Sequence, residues 1–513
     1  MIKRVSLLAL AAMTLAACTD ETTPTGVAPQ AGGPRASADG DWGESEVAAE
    51  YAAFAANPAT RRGTNVVDPA LRSLLATAAA TAQLEVIVTY DPAATTGDAV
   101  TARLRGLGAG TVGFKHLPMV FAVATPAAVR EIAGASGVAS VYANKRLRYE
   151  MFESNQVIKA DAVWTYNGGT GYTGKGVGVA ILDSGIDGVY NPGLKFPSKT
   201  VANVKFVGSV KDLLTFGDDA PAKPAASLFA ENVGTSETTS GHGTHVAGTA
   251  AGDGSGSSAG IYKGVAHGAN LVGIGTGDAL FIFWVLAGFD WLLDNHKQYN
   301  IKVVNNSWGT EGAYDPNDPT NVATRAVHDA GITVVFAAGN SGPGANTLNP
   351  YSVAPWVISV AAGCKVGVID PTNSASRCND GRQAVLADFS SRGVAGDPVY
   401  HPDITAPGVR IVSTRSPFGP TVGSTAVTSD ARSCNIGVQH VQYFTCLNGT
   451  SMAAPHVAGV VALLQEAAGN RLTPDQVLGI LKKSSSRLTG YGEWEVGSGY
   501  ADALQAVRRV VKR

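Results

Sequence analysis

Gly449-Thr450-Ser451-Met452-Ala453-Ala454-Pro455-His456-Val457-Ala458-Gly459 is the stretch on which the fold reading turns. A serine sits among small residues at the start of an apolar, helix-forming run from Val457 to Leu464. Small neighbours leave its hydroxyl open to a substrate. A helix beginning there sets a positive dipole end where negative charge would develop. The plain alternative is a helix N-cap serine. A lone serine is a weak nucleophile and needs a base and an orienting acid. Two upstream stretches offer them. In Val177-Gly178-Val179-Ala180-Ile181-Leu182-Asp183-Ser184-Gly185 a short apolar run ends in an acid and a glycine turn. Functional residues of a parallel sheet collect where strands end, and Asp183 fits that position. In Gly241-His242-Gly243-Thr244-His245-Val246-Ala247-Gly248 a histidine opens a helix of very small residues. Asp187 competes with Asp183 but reads better as a turn residue. His245 competes with His242, and a His-x-x-His pair can also hold a metal. No Glu lies between them to act as a zinc-peptidase base. His456 reads as a packed helix residue.

Asp183-Ser184-Gly185, the His242 block and the Ser451 block together resemble the three signatures of the subtilisin-like serine peptidases, in that family's chain order. The resemblance covers roughly residues 155–510. It implies an α/β fold: a subtilisin-like three-layer sandwich with a central, mostly parallel sheet, preceded by a small α+β ferredoxin-like propeptide domain. It also implies roles, with Ser451 as nucleophile, His242 as base and Asp183 as the acid that orients the imidazole. Val334-Val335-Phe336-Ala337-Ala338-Gly339-Asn340-Ser341 resembles the family's oxyanion block. That resemblance assigns the Asn340 amide and the Ser451 backbone N–H as donors, against the alternative of a simple turn. Val303 to Gly309 resembles the strand that pairs with an extended substrate. Ser307, Trp308 and Gly309, facing Ala337, Ala338 and Gly339, are then expected to line the pocket for the residue before the cut. Small walls and no acid in either segment predict a taste for apolar or aromatic side chains. Pro355, Val357 and Asp403 align with a cation site of some relatives, and hard oxygen ligands suit calcium. The alternative there is a strand edge and an ordinary aspartate. The chemistry itself calls for no cofactor.

The chain has 513 residues and a net charge of −2, with 45% hydrophobic and 16% charged residues. That supports a large core and excludes a disordered chain. The charge balance gives no argument for nucleic acid or an anionic membrane surface. Lys3 and Arg4 precede an apolar run, Val5 to Leu15, that is too short to span a membrane. Leu15-Ala16-Ala17-Cys18 resembles a lipobox, with Cys18 as the lipidated residue; the alternative is a secretory signal cut near Ala17. Export permits disulfides, and four further cysteines follow: Cys364, Cys378, Cys434 and Cys446. Four allow three pairings. The simplest is local, Cys364 with Cys378 and Cys434 with Cys446. The spacings are not those of a zinc motif. Asn305-Asn306-Ser307 and Asn448-Gly449-Thr450 match glycosylation sequons but read as chance matches, given a bacterial export signal and burial.

Residues 1–17 read as the signal and 18–70 as a flexible linker, with Thr, Pro, Gly, Ala and Ser dominating 19–60. Residues 71–150 read as the propeptide domain, with strands at Leu84–Tyr90, Met119–Ala124 and Val138–Tyr142, and helices at Asp98–Leu107 and from Pro126. Residues 151–513 read as the catalytic domain, where strands and helices alternate. Residues 209–237 read as a surface insertion. The expectation is an exported serine endopeptidase, made as a silent precursor that cuts itself between residues 145 and 153. Its partners are protein or peptide substrates and its own propeptide. Two rivals stay open: a catalytically silent binding lipoprotein on the same fold, and a metallopeptidase using His242 and His245.

Overall fold

Asp68, Thr96 and Thr125 each stand just before a helix and accept hydrogen bonds from its first free N–H groups, and Pro69 and Pro126 open two of those helices. These caps set the helices of a small N-terminal unit: α1 (Pro69–Thr77), α2 (Gly97–Gly106) and α3 (Pro126–Ala133). Between them run β1 (Val66–Val67), β2 (Leu84–Tyr90), β3 (Gly110–Gly113), β4 (Met119–Ala124) and β5 (Val138–Ala143), in the sheet order β1-β5-β2-β4-β3. The computed structural model describes residues 51–52, 65–144, 148–149, 157–166, 170–207, 228–276, 281–365, 385–417, 434 and 436–511. The signal, Cys18, Cys378 and most of the expected processing segment lie outside them.

One expected boundary moves. The chain read as linker as far as residue 70 already joins this sheet at Val66 and Val67, which pair in parallel with Ser140 and Val141. Two β-branched residues are too short a run to register as a strand in sequence.

Downstream come β6 (Arg148–Tyr149), α4 (Ala160–Trp164), β7 (Gly178–Asp183), β8 (Thr200–Phe206), β9 (Phe229–Ala230), α5 (His242–Ala251), β10 (Asn270–Gly275), α6 (Ile282–Asn295), β11 (Ile301–Asn306) and β12 (Trp308–Gly309). They are followed by α7 (Pro319–Asp329), β13 (Thr333–Ala337), β14 (Val357–Gly363), β15 (Ile404–Pro407), β16 (Ile411–Thr414), β17 (Phe444–Leu447), α8 (Thr450–Ala467), α9 (Pro474–Ser484), α10 (Glu493–Val496) and α11 (Ala503–Val511). The large sheet is ordered β15-β14-β13-β11-β7-β10-β8-β9, parallel except for β9 at its edge. Strands such as β7, β13 and β14 are rich in Val, Ile and Ala because both faces of the sheet are covered. One core lies on the α5, α8 and α11 side and holds Val246, Val457, Val460 and Val507. The other lies on the α6 and α7 side and holds Phe283, Phe289, Trp291 and Val327. This is the three-layer α/β sandwich expected. Of residues 209–237, the described part, 228–237, adds β9 to the sheet edge.

Candidate active site

β7, β11 and β13 lie side by side and run parallel, so their carboxyl ends open on one edge of the sheet. Asp183 is the last residue of β7. Ser307 directly follows β11, and Ala338, Gly339 and Asn340 directly follow β13. The sheet turns its order around β7: β10 and β8 lie on one side, β11 and β13 on the other. Crevices form at such a point.

Two glycine contacts bring the histidine to this edge. Gly241 starts α5 with φ of 72°. A Cβ on Gly243 would lie 2.4 Å from the Gly185 carbonyl oxygen, so only glycine lets the helix approach the loop after β7. His242 Nδ1 then lies 2.7 Å from Asp183 Oδ1, which also accepts the Ser184 N–H at 2.8 Å. Both side chains are fully buried. A carboxylate facing Nδ1 keeps the proton on that nitrogen and leaves Nε2 as the basic atom.

Glu237 was not visible as a site residue in sequence. Its Oε2 accepts the Ser184 hydroxyl at 2.5 Å, while Ser184 Oγ accepts the Gly243 N–H at 2.9 Å. Its Oε1 accepts the N–H groups of Thr239 and Ser240 at 3.1 and 3.2 Å. Burial pushes its carboxyl pKa up. One buried acid thus ties the Asp183 loop to the loop leading into His242. Only a contact across 53 residues reveals it.

Ser451 lies in the first turn of α8, after Gly449 with φ of 147°. Proline inside a helix removes one N–H, and at Pro455 the deprived acceptor is the Ser451 carbonyl four residues back. That carbonyl accepts the Ser307 hydroxyl instead, at 2.6 Å, and Ser451 Oγ donates to the Ser307 carbonyl at 2.9 Å. The reciprocal pair clamps the serine to the end of β11. Asn340 Oδ1 accepts both the Thr450 N–H at 2.9 Å and the Thr450 hydroxyl at 3.0 Å. With the oxygen so engaged, the amide NH₂ turns to the other side.

Beside Ser451 opens a cavity of about 300 Å³. Of the expected wall residues, Trp308, Gly309, Ala337 and Gly339 line it. Ser307 and Ala338 do not; both are fully buried, Ser307 against Ser451 and Ala338 in the core. Asn349 and Glu311 are among the wall residues that the sequence reading did not single out. Asn349 donates from Nδ2 to the carbonyls of Trp308 and Ala337, both at 3.0 Å, and so joins the two walls. Glu311 brings a carboxylate to the wall, so the pocket is not uncharged. It lies two residues past the matched strand, outside the segments searched for acids.

The competing readings find structural places. His245 is fully buried, with Nε2 3.0 Å from the Ile411 carbonyl, and burial pulls its pKa down to about 3. Among the described residues no group of three or more His, Cys, Asp or Glu side chains is placed to hold a metal ion. Asp187 accepts the N–H groups of Val189 and Tyr190 at 3.0 and 2.9 Å, as a turn residue does. His456 Nδ1 lies 2.7 Å from the Met452 carbonyl, one helical turn back. Asn305, the acceptor position of the first sequon, is fully buried and donates from Nδ2 to the Ser307 hydroxyl at 2.8 Å.

The expected calcium position does not fit a divalent ion. Asp403 Oδ2 accepts the Ser359 N–H at 2.8 Å, and Lys482 Nζ lies 3.7 Å from Oδ1. The hollow lined by Pro355 and Asp403 holds only about 10 Å³. A nearly buried ammonium already balances the lone carboxylate there, and a calcium ion would meet it as a like charge. The lysine lies 79 residues along the chain from its partner, which no local motif shows. Cys434 and Cys446 form a disulfide. Cys364 is buried, while Cys378 lies outside the described residues.

A profile described as the Subtilase family, Peptidase S8, matches residues 174–500, more than half of the chain. The serine protease AprX of Bacillus subtilis is 31% identical over 407 residues, covering 77% of this chain and 80% of that protein. Subtilisin E of the same organism is 30% identical over 298 residues, 57% of this chain and 56% of that protein. The solved structure of fervidolysin from Fervidobacterium pennivorans, a keratinolytic enzyme related to subtilisin, matches with a TM-score of 0.57 at 22% identity. That match covers 83% of this chain and 61% of fervidolysin, and it speaks for the fold. The chain belongs to the subtilase family of serine endopeptidases.

Proposed function

We propose that this protein hydrolyses peptide bonds through Asp183, His242 and Ser451, with Asn340 in the oxyanion site. The observation that carries the reading is the 2.7 Å bond between buried Asp183 and His242, at the sheet edge that also holds Ser451. A substrate strand pairing along Ser307–Gly309 competes for the Ser307 carbonyl and frees the Ser451 hydroxyl. His242 Nε2 takes the hydroxyl proton as Oγ attacks the scissile carbonyl. The imidazolium that forms is stabilised by Asp183. It then gives its proton to the departing amine, leaving an acyl-serine. Water repeats the sequence, returns the proton to Ser451 through His242 and releases the acid product. Asn340 Nδ2 and the Ser451 N–H hold the negative oxygen in both halves.

The cavity favours large apolar or aromatic side chains before the cut, with Trp308 and Ala337 as its apolar surface. Glu311 on the wall favours basic side chains as a second choice. The protein is exported, a reading supported by Lys3–Leu15 and by relatives named as extracellular proteases in Dichelobacter nodosus and Xanthomonas campestris. Cys18 carries a lipid on the precursor.

Residues 71–150 act as the inhibiting propeptide. Arg148 and Tyr149 pair antiparallel with Gly309 and Trp308, in the cleft where a substrate strand belongs, which supports cutting between residues 145 and 153. Cutting there separates the catalytic body from Cys18. A serine-directed phosphonyl reagent should label Ser451 and stop hydrolysis, while a chelator leaves hydrolysis untouched. Hydrolysis that survives full labelling overturns the reading.

A further inference from the structure

Tyr51 stands fourteen residues before Asn65, where the described chain resumes, yet it lies against the enzyme body rather than the small sheet. Its ring is 5.4 Å from the Arg325 guanidinium, which also lies 5.1 Å from the Trp356 ring. Its hydroxyl lies 3.1 Å from His328 Nε2 and 3.3 Å from Asp475 Oδ1. Arg325 and His328 belong to α7, and Asp475 belongs to the first turn of α9.

The groups around Tyr51 are held by contacts that do not involve it. Asp329 pairs with Arg325 Nε at 2.9 Å and with His328 Nδ1 at 3.0 Å. His328 Nε2 lies 3.0 Å from Asp475. Trp356 Nε1 donates to Thr324 Oγ1 at 3.1 Å. A capping box between Thr473 and Gln476 fixes the turn that carries Asp475. A flat cation with an aromatic behind it, and a carboxylate acceptor with a histidine nitrogen beside it a ring's length away, match a phenol: an aromatic face with one donor at its tip.

We infer that the crevice between α7 and α9 is a tyrosine-binding socket, occupied by Tyr51 of the chain's own N-terminal segment. It holds that segment to the enzyme body separately from the small sheet and from the strand in the cleft. Burial and the Asp475 carboxylate push the Tyr51 phenol pKa upward, so the hydroxyl stays a donor at working pH. The consequence for maturation rests on the self-cleavage reading above. After a cut near residue 150, the released piece, which would carry the lipid, stays attached until the socket opens as well.

The test uses the full chain in two forms. In the uncut Ser451→Ala chain, trypsin cutting at Arg61 and Arg62 is timed; Tyr51→Ala should speed it about ten-fold, and Tyr51→Phe, which keeps the ring over Arg325, by less. Equal rates for Tyr51→Ala and its parent overturn the socket. In the active chain, loss of the N-terminal piece from the body after self-cleavage is followed by size exclusion. Tyr51→Ala should shed the piece about ten-fold faster, and an unchanged rate also overturns the socket. If no self-cleavage occurs while the trypsin difference holds, the maturation reading fails and the socket stands.

Discussion

The two sheets treat their polar groups in opposite ways. At the carboxyl edge of the large sheet, Asp183, His242 and Ser451 are fully buried. Each is held by partners from other elements. The small sheet keeps an apolar core of its own on one face, with Val86, Leu104, Val129 and Ile132, and buries its other face, with Ile87, Val112, Met119 and Phe121, against the body. Phe121 of β4 packs on Phe283 of α6 with ring centres 4.2 Å apart. Asn144 Oδ1 accepts the Phe283 N–H at 2.8 Å, a helix-end donor that has no cap from its own chain neighbour Phe281. Asp290 accepts the N–H groups of Lys115 and His116 at 3.0 and 2.8 Å. The small unit has a core of its own on one face and meets the body through the other, whereas the groups at the large sheet's edge are held by elements of a single core.

The largest effect expected from this contrast is on the clamped edge. Ser451→Ala or His242→Ala should cut hydrolysis roughly 10⁶-fold and Asp183→Ala about 10⁴-fold, magnitudes known from subtilisin rather than from this chain. Double variants should be little worse than the worst single one, because the groups act as a unit. A Ser451→Ala protein with full peptidase activity would break the comparison outright. Asn340→Ala should lower kcat by about 100- to 1000-fold with KM little changed, again on the scale set by subtilisin. A loss confined to KM would place Asn340 in binding instead.

On the small-sheet side, Asp290→Ala removes the acceptor of two bridging bonds and should weaken retention of the cleaved N-terminal piece by roughly 10- to 100-fold. Stability of the body should hardly move. Global unfolding of the variant at lower denaturant would mean that the two units are not separable.

Acid should reach the body first. His245 has its pKa pulled down by burial to about 3, against about 6.5 when unfolded. Between those values the unfolded chain binds a proton that the folded chain refuses, so stability rises with pH there. The contribution is whole above pH 6.5 and drains away as pH falls toward 3. In the Ser451→Ala background, His245→Asn should flatten that acid limb. An unchanged slope on unfolding from pH 6.5 to 3 would remove His245 from the account. The smallest effect is a null one: with Lys482 beside Asp403, chelator should leave the melting temperature where it was. A fall of several degrees would point to calcium elsewhere.

Much of the edge was legible because its residues come in short contiguous blocks. Asp183 ends an apolar run, His242 opens a run of tiny residues, and Ser451 precedes a helical run; each block carries its own local signal. Strands read as continuous apolar runs came out at nearly their observed limits, such as Leu84–Tyr90 and Met119–Ala124. β8 and β15 carry weaker local signals: Asn203 and Lys205 interrupt the apolar residues of Thr200–Phe206, and Ile404–Pro407 is four residues holding a proline.

By itself the sequence determined the family blocks, much of the order of elements and the residues proposed as nucleophile, base and acid, because each depends on residues within one turn or one strand. Only the tertiary structure decided which groups hold them and which share a wall. Glu237 reaches Ser184, Asn349 joins the strands at Trp308 and Ala337, Lys482 balances Asp403, and Tyr51 finds Arg325 and Asp475. Each of those contacts closes a loop of chain whose ends carry no local sign of one another. Hydrogen bonds and ion pairs act over a few ångströms of space, whatever the distance along the chain.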